Sequence, residues 1–305
     1  MTAAYTLEPD FNRRTTGSLR KPRIPSVERG SGLAVALGGG FSRGFAHLGV
    51  LEVLEQEQIP LSIIVGTSVG GLLGAAYADG ISLQDLCDLG RHVRLRDFLR
   101  FHQTKPGAER RDCIGKFVQE WFRAAGVEEL PIPTAIVTTD LATGAPHIFT
   151  KGPIDVAIRA SCAFPGLVKP VEYEGRILAD GCIVAPVPTA IAARINGGWV
   201  LGVSVGSNMA SSSSPENVVK VLDPDSRASH RDALEPSWSR HADILLEPRV
   251  RHIEWNDFSR VDEAFSAGAE AMRLALPSLR ELLDRRSHCS PVPGMGFGVE
   301  AGLAL

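Results

Sequence analysis

The chain has no surplus of charge of either sign. Its 305 residues carry 32 Lys and Arg against 35 Asp and Glu, a net charge of −3. Without a basic field over the whole molecule, nucleic acid is excluded as the main partner. Cysteine is also scarce: Cys87, Cys113, Cys162, Cys182 and Cys289 are odd in number, scattered, and never spaced C-x-x-C. That pattern argues against a disulfide framework or a zinc site and suits a reducing cytosol. The first 32 residues are polar and basic and lack the apolar core of a secretory signal. A long apolar run is nearly absent too. Leu61 to Ala78 carries no charge and has the length of a membrane span, but Gly66, Gly70, Gly71 and Gly74 and the polar Thr67 and Ser68 interrupt it. A buried strand, turn and helix accounts for that run better.

What remains is an ordinary globular composition, 44% apolar and 22% charged, with no internal repeat and enough material for one principal domain. The expected organisation is a flexible arm over 1–32, a domain over 33–284 and a tail over 285–305, with a Ser-, Asp- and Pro-rich mobile excursion at 209–237. Strands are expected at 33–37, 62–65, 134–138, 147–149, 176–178, 199–205 and 243–246. Helices fit 44–58, the segment after the Ser68 turn, 82–89, 115–125, 153–161 and 188–194. Strands alternating with helices imply an α/β fold with a mostly parallel sheet covered on both faces.

Two glycine-rich turns carry the chemistry. In Gly66-Thr67-Ser68-Val69-Gly70 a serine stands between a strand end and a helix start, where a side chain is pushed outward on a strained turn. Glycines two residues to either side remove the Cβ atoms that would clash there. The following helix N-terminus points free N–H groups at the reacting centre. The earlier turn, Gly38-Gly39-Gly40 leading to Arg43-Gly44, can offer backbone N–H donors to an oxyanion. Arg43 could brace that loop through carbonyls or meet an anionic substrate group. A phosphate-binding loop is the rival reading, but the Walker lysine is missing and the spacing fits no nucleotide fingerprint.

Such a serine needs a base. A triad Ser68, Asp180, His241 matches the chain order of α/β-hydrolases, with Asp140 or Asp243 as other acids. Alternatively, a carboxylate takes the serine proton directly, and Asp180, between a short strand and Gly181, is the candidate.

At this point the chain resembles the patatin-like phospholipases, in particular their bacterial cytosolic branch, over about Leu33 to Leu274. The matching segments include Arg43-Gly44-Phe45-Ala46-His47, Gly66-Thr67-Ser68-Val69-Gly70, Thr139-Asp140, Ala160-Ser161, Phe164-Pro165-Gly166 and Ala179-Asp180-Gly181. The resemblance implies a three-layer α/β/α fold and hydrolysis of lipid acyl esters by a Ser68/Asp180 dyad through an acyl-enzyme. It implies no metal, no cofactor and no catalytic histidine, with His47 structural. The oxyanion donors it implies are Gly40 and Phe41, or Gly39 and Gly40, because position 41 is Phe where the family has glycine. Arg43 matches the family's bracing arginine, and Cys182 stands where Gly or Ala is usual. The implied partner is a lipid or other acyl ester. The basic stretch Arg91, Arg94, Arg96, Arg100, Lys105, Arg110 and Arg111 reads either as a solvated helical face or, like the basic arm, as a surface for anionic headgroups. The expectation is therefore a cytoplasmic protein open to peripheral membrane contact. The competing functions are a triad esterase acting on small esters and a non-catalytic regulator that keeps the fold.

Overall fold

The structure is a computed structural model that describes residues 26–27, 32–93, 113–206, 219–221 and 239–287. The first strand, β1 (Leu33–Leu37), leads through the glycines into a 3₁₀ turn, Phe41–Phe45, and then α1 (Ala46–Gln56). The uncharged run resolves into β2 (Leu61–Thr67), Ser68, and α2 (Val69–Ala78), so its apolar residues fill a core. No helix among the described residues is long and apolar enough to cross a membrane. There follow α3 (Leu83–His92), α4 (Cys113–Trp121), β3 (Thr134–Asp140), β4 (Pro146–Phe149) and α5 (Ile154–Ser161). The chain continues through β5 (Val171–Tyr173), β6 (Arg176–Asp180), α6 (Thr189–Asn196) and β7 (Val200–Val203). β8 (Val219–Val221), β9 (Ile244–Leu246) and α7 (Val261–Ser287) complete it.

Five strands run parallel in the order β3-β2-β1-β7-β9. Antiparallel strands finish both edges: β6 and β5 beyond β3, β4 also on β3, and β8 on β9. Side chains alternate across the sheet. Leu33, Val35 and Leu37 of β1 enter the larger core with Leu48 of α1, Leu73 of α2, Ile158 of α5 and Met272 of α7. Ala34 and Ala36 enter a smaller core under Ile191 and Ala192 of α6. Both faces are therefore covered, and each fully buried Leu or Ile contributes roughly 1.5–3 kcal/mol.

Three elements were not expected from the sequence. β5 is three residues long, and β8 lies within the 209–237 segment, whose other residues are outside those described. α7 hides its period behind Ala, Gly and Pro277 because it packs too closely on α1 for large side chains. A Cβ on Gly49 would fall 1.9 Å from Phe265 O, and one on Gly268 would fall 1.9 Å from Ala46 O. Within the expected arm, Ser26 bridges to Leu61 and Val27 N–H donates to Leu61 O at 3.0 Å.

The chain leaves β1 toward β2 and β3 and returns on the other side as β7. Strand order reverses at β1, which opens a crevice outside the carboxyl ends of the parallel strands. Both glycine turns stand at that end.

Candidate active site

Ser68 sits between β2 and α2 with φ 55° and ψ −126°, a conformation that L residues rarely adopt. The flanking glycines make it possible. A Cβ on Gly66 would lie 2.5 Å from the backbone of Gly70 and Gly71, and one on Gly70 would lie 2.3 Å from Leu37 O. The turn is also tied from outside. Ser68 N–H donates to Ser161 Oγ at 2.8 Å, and that hydroxyl donates onward to Val137 O at 2.7 Å. Ser161 was noted in the sequence only as part of a matching segment; its role as the elbow's anchor depends on α5 crossing β3, which no local pattern reveals.

Ser68 Oγ donates to Asp180 Oδ2 at 2.7 Å. β6 runs antiparallel to β3, and its register puts Asp180 opposite Thr138, level with the end of β2. Both carboxylate oxygens are held, Oδ1 by the Cys182 N–H at 2.8 Å and Oδ2 by Ser68, while Thr139 Oγ1 donates to the backbone carbonyl of Asp180 at 2.8 Å and fixes the strand end. Gly181 makes the exit from the strand possible, since a Cβ there would meet Val137 O at 2.4 Å. Burial raises the Asp180 pKa above the ordinary carboxylate range, while the Cys182 and Ser68 hydrogen bonds pull it back down. A carboxylate in such a place is a stronger base than one in water. Asp180 has no exposed surface and Ser68 8%, so the pair is reached through the serine.

The first glycine turn lies directly against this pair. A Cβ on Gly39 would be 3.3 Å from Ser68 Cβ and 2.1 Å from Cys182 Sγ, and one on Gly44 would run into Val69. Gly39 N–H donates to Pro186 O at 3.0 Å. Gly40 and Phe41 N–H have no acceptor among the described residues. Phe41 holds φ 50°.

Arg43 points away from the serine: Nε donates to Ile253 O at 2.7 Å, Nη1 to Gly206 O at 3.2 Å and Nη2 to Arg251 O at 3.3 Å. Ser42 adds Oγ contacts to Glu254 O and Trp255 O at 3.0 and 2.8 Å. The turn is thereby laced to the segment between β9 and α7, of which the sequence signalled only the arginine. His47 is fully buried, and burial pushes it down to about 4. The neutral ring donates from Nε2 to Gly38 O at 2.7 Å and so stiffens the same turn.

The other triad candidates do not reach the serine. His241 and Asp243 precede the first residue of β9, at the amino end of the sheet, and Asp243 accepts from Val200 N–H at 2.8 Å. Asp140 pairs with Arg176 at 2.8 Å. The alternative triad therefore does not assemble: parallel β9 carries His241 to the edge opposite Ser68. Of the basic stretch, only Arg91 is described, and it is paired with Asp88 and Asp262; Arg94, Arg96 and Arg100 lie outside the described residues. Cys87, Cys162 and Cys182 are free thiols. Among the described residues no group of His, Cys, Asp and Glu could hold a metal.

Fold and geometry together define a class, α/β proteins with a serine on a strand-to-helix elbow hydrogen-bonded directly to a buried carboxylate. The family model for "Patatin-like phospholipase" matches residues 35–193, just over half of the chain. This chain belongs to the patatin-like phospholipase family. It is similar to an uncharacterized NTE family protein of Mycobacterium tuberculosis, 37% identical over 181 residues that cover 58% of this chain and 50% of that one. It is also similar to human patatin-like phospholipase domain-containing protein 6, 28% identical over 208 residues, 66% of this chain and 15% of that one. Lysophospholipase NTE1 of Mycosarcoma maydis is 29% identical over 242 residues, 76% of this chain and 12% of that protein. The chain spans half or less of the length of these relatives.

Proposed function

We propose that this protein is a serine hydrolase of lipid carboxylic esters, of the phospholipase A or lysophospholipase type, working through a Ser68/Asp180 dyad. The observation that carries the reading is the 2.7 Å bond from Ser68 Oγ to Asp180 Oδ2 on a strained elbow. Ser68 Oγ attacks the ester carbonyl as its proton passes to Asp180. The oxyanion is held by the N–H groups of Gly40 and Phe41, because that of Gly39 is committed to Pro186 O. When the tetrahedral adduct collapses, Asp180 returns the proton to the departing alkoxide and an acyl-serine remains. Water then gives its proton to Asp180 and attacks the acyl carbonyl, releasing the fatty acid and restoring Ser68. Arg43 and His47 keep the donors in place without touching substrate.

The printed name of the Mycosarcoma maydis relative supports a lysophospholipid as the first substrate to try. The same reading includes peripheral contact with a lipid surface from the cytoplasm. Leu141, Ile177 and Ile183, 45–50% exposed, stand at or beyond the sheet end that bears Ser68.

The test is fluorophosphonate labelling together with turnover of lysophosphatidylcholine by wild type, Ser68→Ala, Asp180→Asn and His241→Ala. The expected result is labelling and turnover in wild type and His241→Ala, neither in Ser68→Ala, and no turnover in Asp180→Asn. Full activity in Ser68→Ala, or loss in His241→Ala, would overturn the dyad.

A further inference from the structure

Among the described residues only four non-glycine residues hold positive φ: Phe41, Gln58, Ser68 and Glu174. Gln58 follows α1, Glu174 sits in the hairpin before Gly175, and Ser68 is the elbow. Phe41 stands apart, because an aromatic Cβ is costly in that region of φ and no hairpin or helix end requires it. Something must hold it there, and the surroundings show what does. Its ring lies edge-on to Phe164, with centroids 5.4 Å apart at 70°, and edge-on to Trp255, 5.0 Å apart at 64°. These are favourable edge-to-face geometries. Phe164 follows α5 and Trp255 precedes α7, so the grip comes from two elements far apart in the chain. The backbone is held by the same tryptophan, since Ser42 N–H donates to Trp255 O at 3.1 Å and Ser42 Oγ donates to it at 2.8 Å.

We propose that Phe41 is a positioning residue: its ring, gripped between Phe164 and Trp255, locks the glycine turn so that the Phe41 N–H faces the oxyanion formed at Ser68. The inference rests on the hydrolase reading above and deepens it. Where a glycine would reach this conformation freely, the phenylalanine reaches it through side-chain contacts. Release to ordinary negative φ rotates the Gly40–Phe41 peptide relative to Ser42 and turns the N–H away. The alternative role for the ring is a wall of the substrate site, which would act on affinity and not on the oxyanion.

A double-mutant cycle separates the two roles. Steady-state hydrolysis of p-nitrophenyl butyrate and the rate of fluorophosphonate labelling are measured for wild type, Trp255→Ala, Phe41→Gly and the double variant, with thermal melts to verify folding. The expected result is a kcat loss of about 10- to 100-fold for Trp255→Ala, below the roughly 10²- to 10³-fold cost of a lost oxyanion donor, with KM moved less than about threefold. In the Phe41→Gly background the same substitution is expected to cost less than about twofold, since glycine needs no grip. Equal losses in both backgrounds, or an effect confined to KM, would overturn the positioning role and leave the wall. Should Trp255→Ala not fold, Phe164→Leu completes the same cycle from the other side of the ring. Absence of any labelling in the wild type would instead sink the hydrolase reading itself, which keeps the two failures apart.

Discussion

Ser68 and Phe41 hold nearly the same φ, 55° and 50°, on neighbouring turns at one end of the sheet, yet they are held there differently. Ser68 is held mostly by its own neighbourhood: β2 feeds it, α2 starts from it, and Gly66 and Gly70 clear the space. Phe41 is held by residues about 120 and 210 positions away, and the arginine two residues on is pinned to carbonyls of that same distant segment. The serine elbow is thus mostly a local device, anchored from outside by Ser161, whereas the glycine turn proposed to hold the oxyanion is assembled from distant parts of the chain. Substitutions in the first should abolish chemistry or folding outright, and substitutions around the second should grade it.

The largest effect is expected at the pair itself. Ser68→Ala and Asp180→Asn should each lower kcat by at least about 10⁴-fold, measured by lysophospholipid turnover. The second variant should also melt higher than wild type at neutral pH. The Asp180 pKa is raised in the folded protein, so between its unfolded and folded values the native state binds more protons and stability falls as pH rises. Asparagine removes that loss. If Asp180→Asn melted lower at neutral pH but not at acid pH, the direction of the Asp180 shift would be wrong.

Next is Gly70→Ala. Its methyl would meet the carbonyl oxygens of Leu37 and Gly38 at 2.3 and 2.7 Å, backbone that cannot swing aside, so a destabilisation of about 3 kcal/mol or more is expected in urea unfolding. A methyl accepted there for less than about 1 kcal/mol would mean that the elbow is looser than its contacts indicate. Arg43→Ala follows, and it should act on the other turn. Losing the bonds to Ile253, Gly206 and Arg251 should lower kcat about 10- to 100-fold while Ser68 still labels, only more slowly. An effect as large as that of Ser68→Ala would erase the distinction between the two turns.

How much could be read in advance follows the same division. β1, β2, the serine elbow and its glycines, and the strand that ends in Asp180 were all legible because apolar runs, glycine spacing and an Asp-Gly turn are local signals. The bond between Ser68 and Asp180 was not derivable from spacing. It needs β6 to pair antiparallel with β3 at the register that sets Asp180 against Thr138, and a triad with His241 remained open until the parallel setting of β9 placed that histidine at the far edge. The anchoring role of Ser161, Trp255 and the bracing carbonyls were hidden for the same reason, as was α7, whose small residues serve its close contact with Gly49.

The smallest expected effect lies where the two turns touch. Cys182 Sγ fills the space beside Gly39, and its S–H is among the donors that lower the Asp180 pKa against the larger effect of burial. Burial and the neighbouring Asp180 charge hold the Cys182 thiol well above its ordinary value, so it stays protonated and remains a donor throughout the working range. In Cys182→Ala the ionised carboxylate loses that donor while the backbone N–H bond of residue 182 is kept. The Asp180 pKa should therefore rise further, and the acid limb of the kcat/KM profile should move to higher pH, with the plateau rate nearly unchanged. Serine at the same position should move the limb back, because its hydroxyl donates more strongly than a thiol. A limb that stayed put in both variants would mean that Cys182 only fills space against Gly39, and would leave Asp180 governed by burial, Ser68 and the backbone alone.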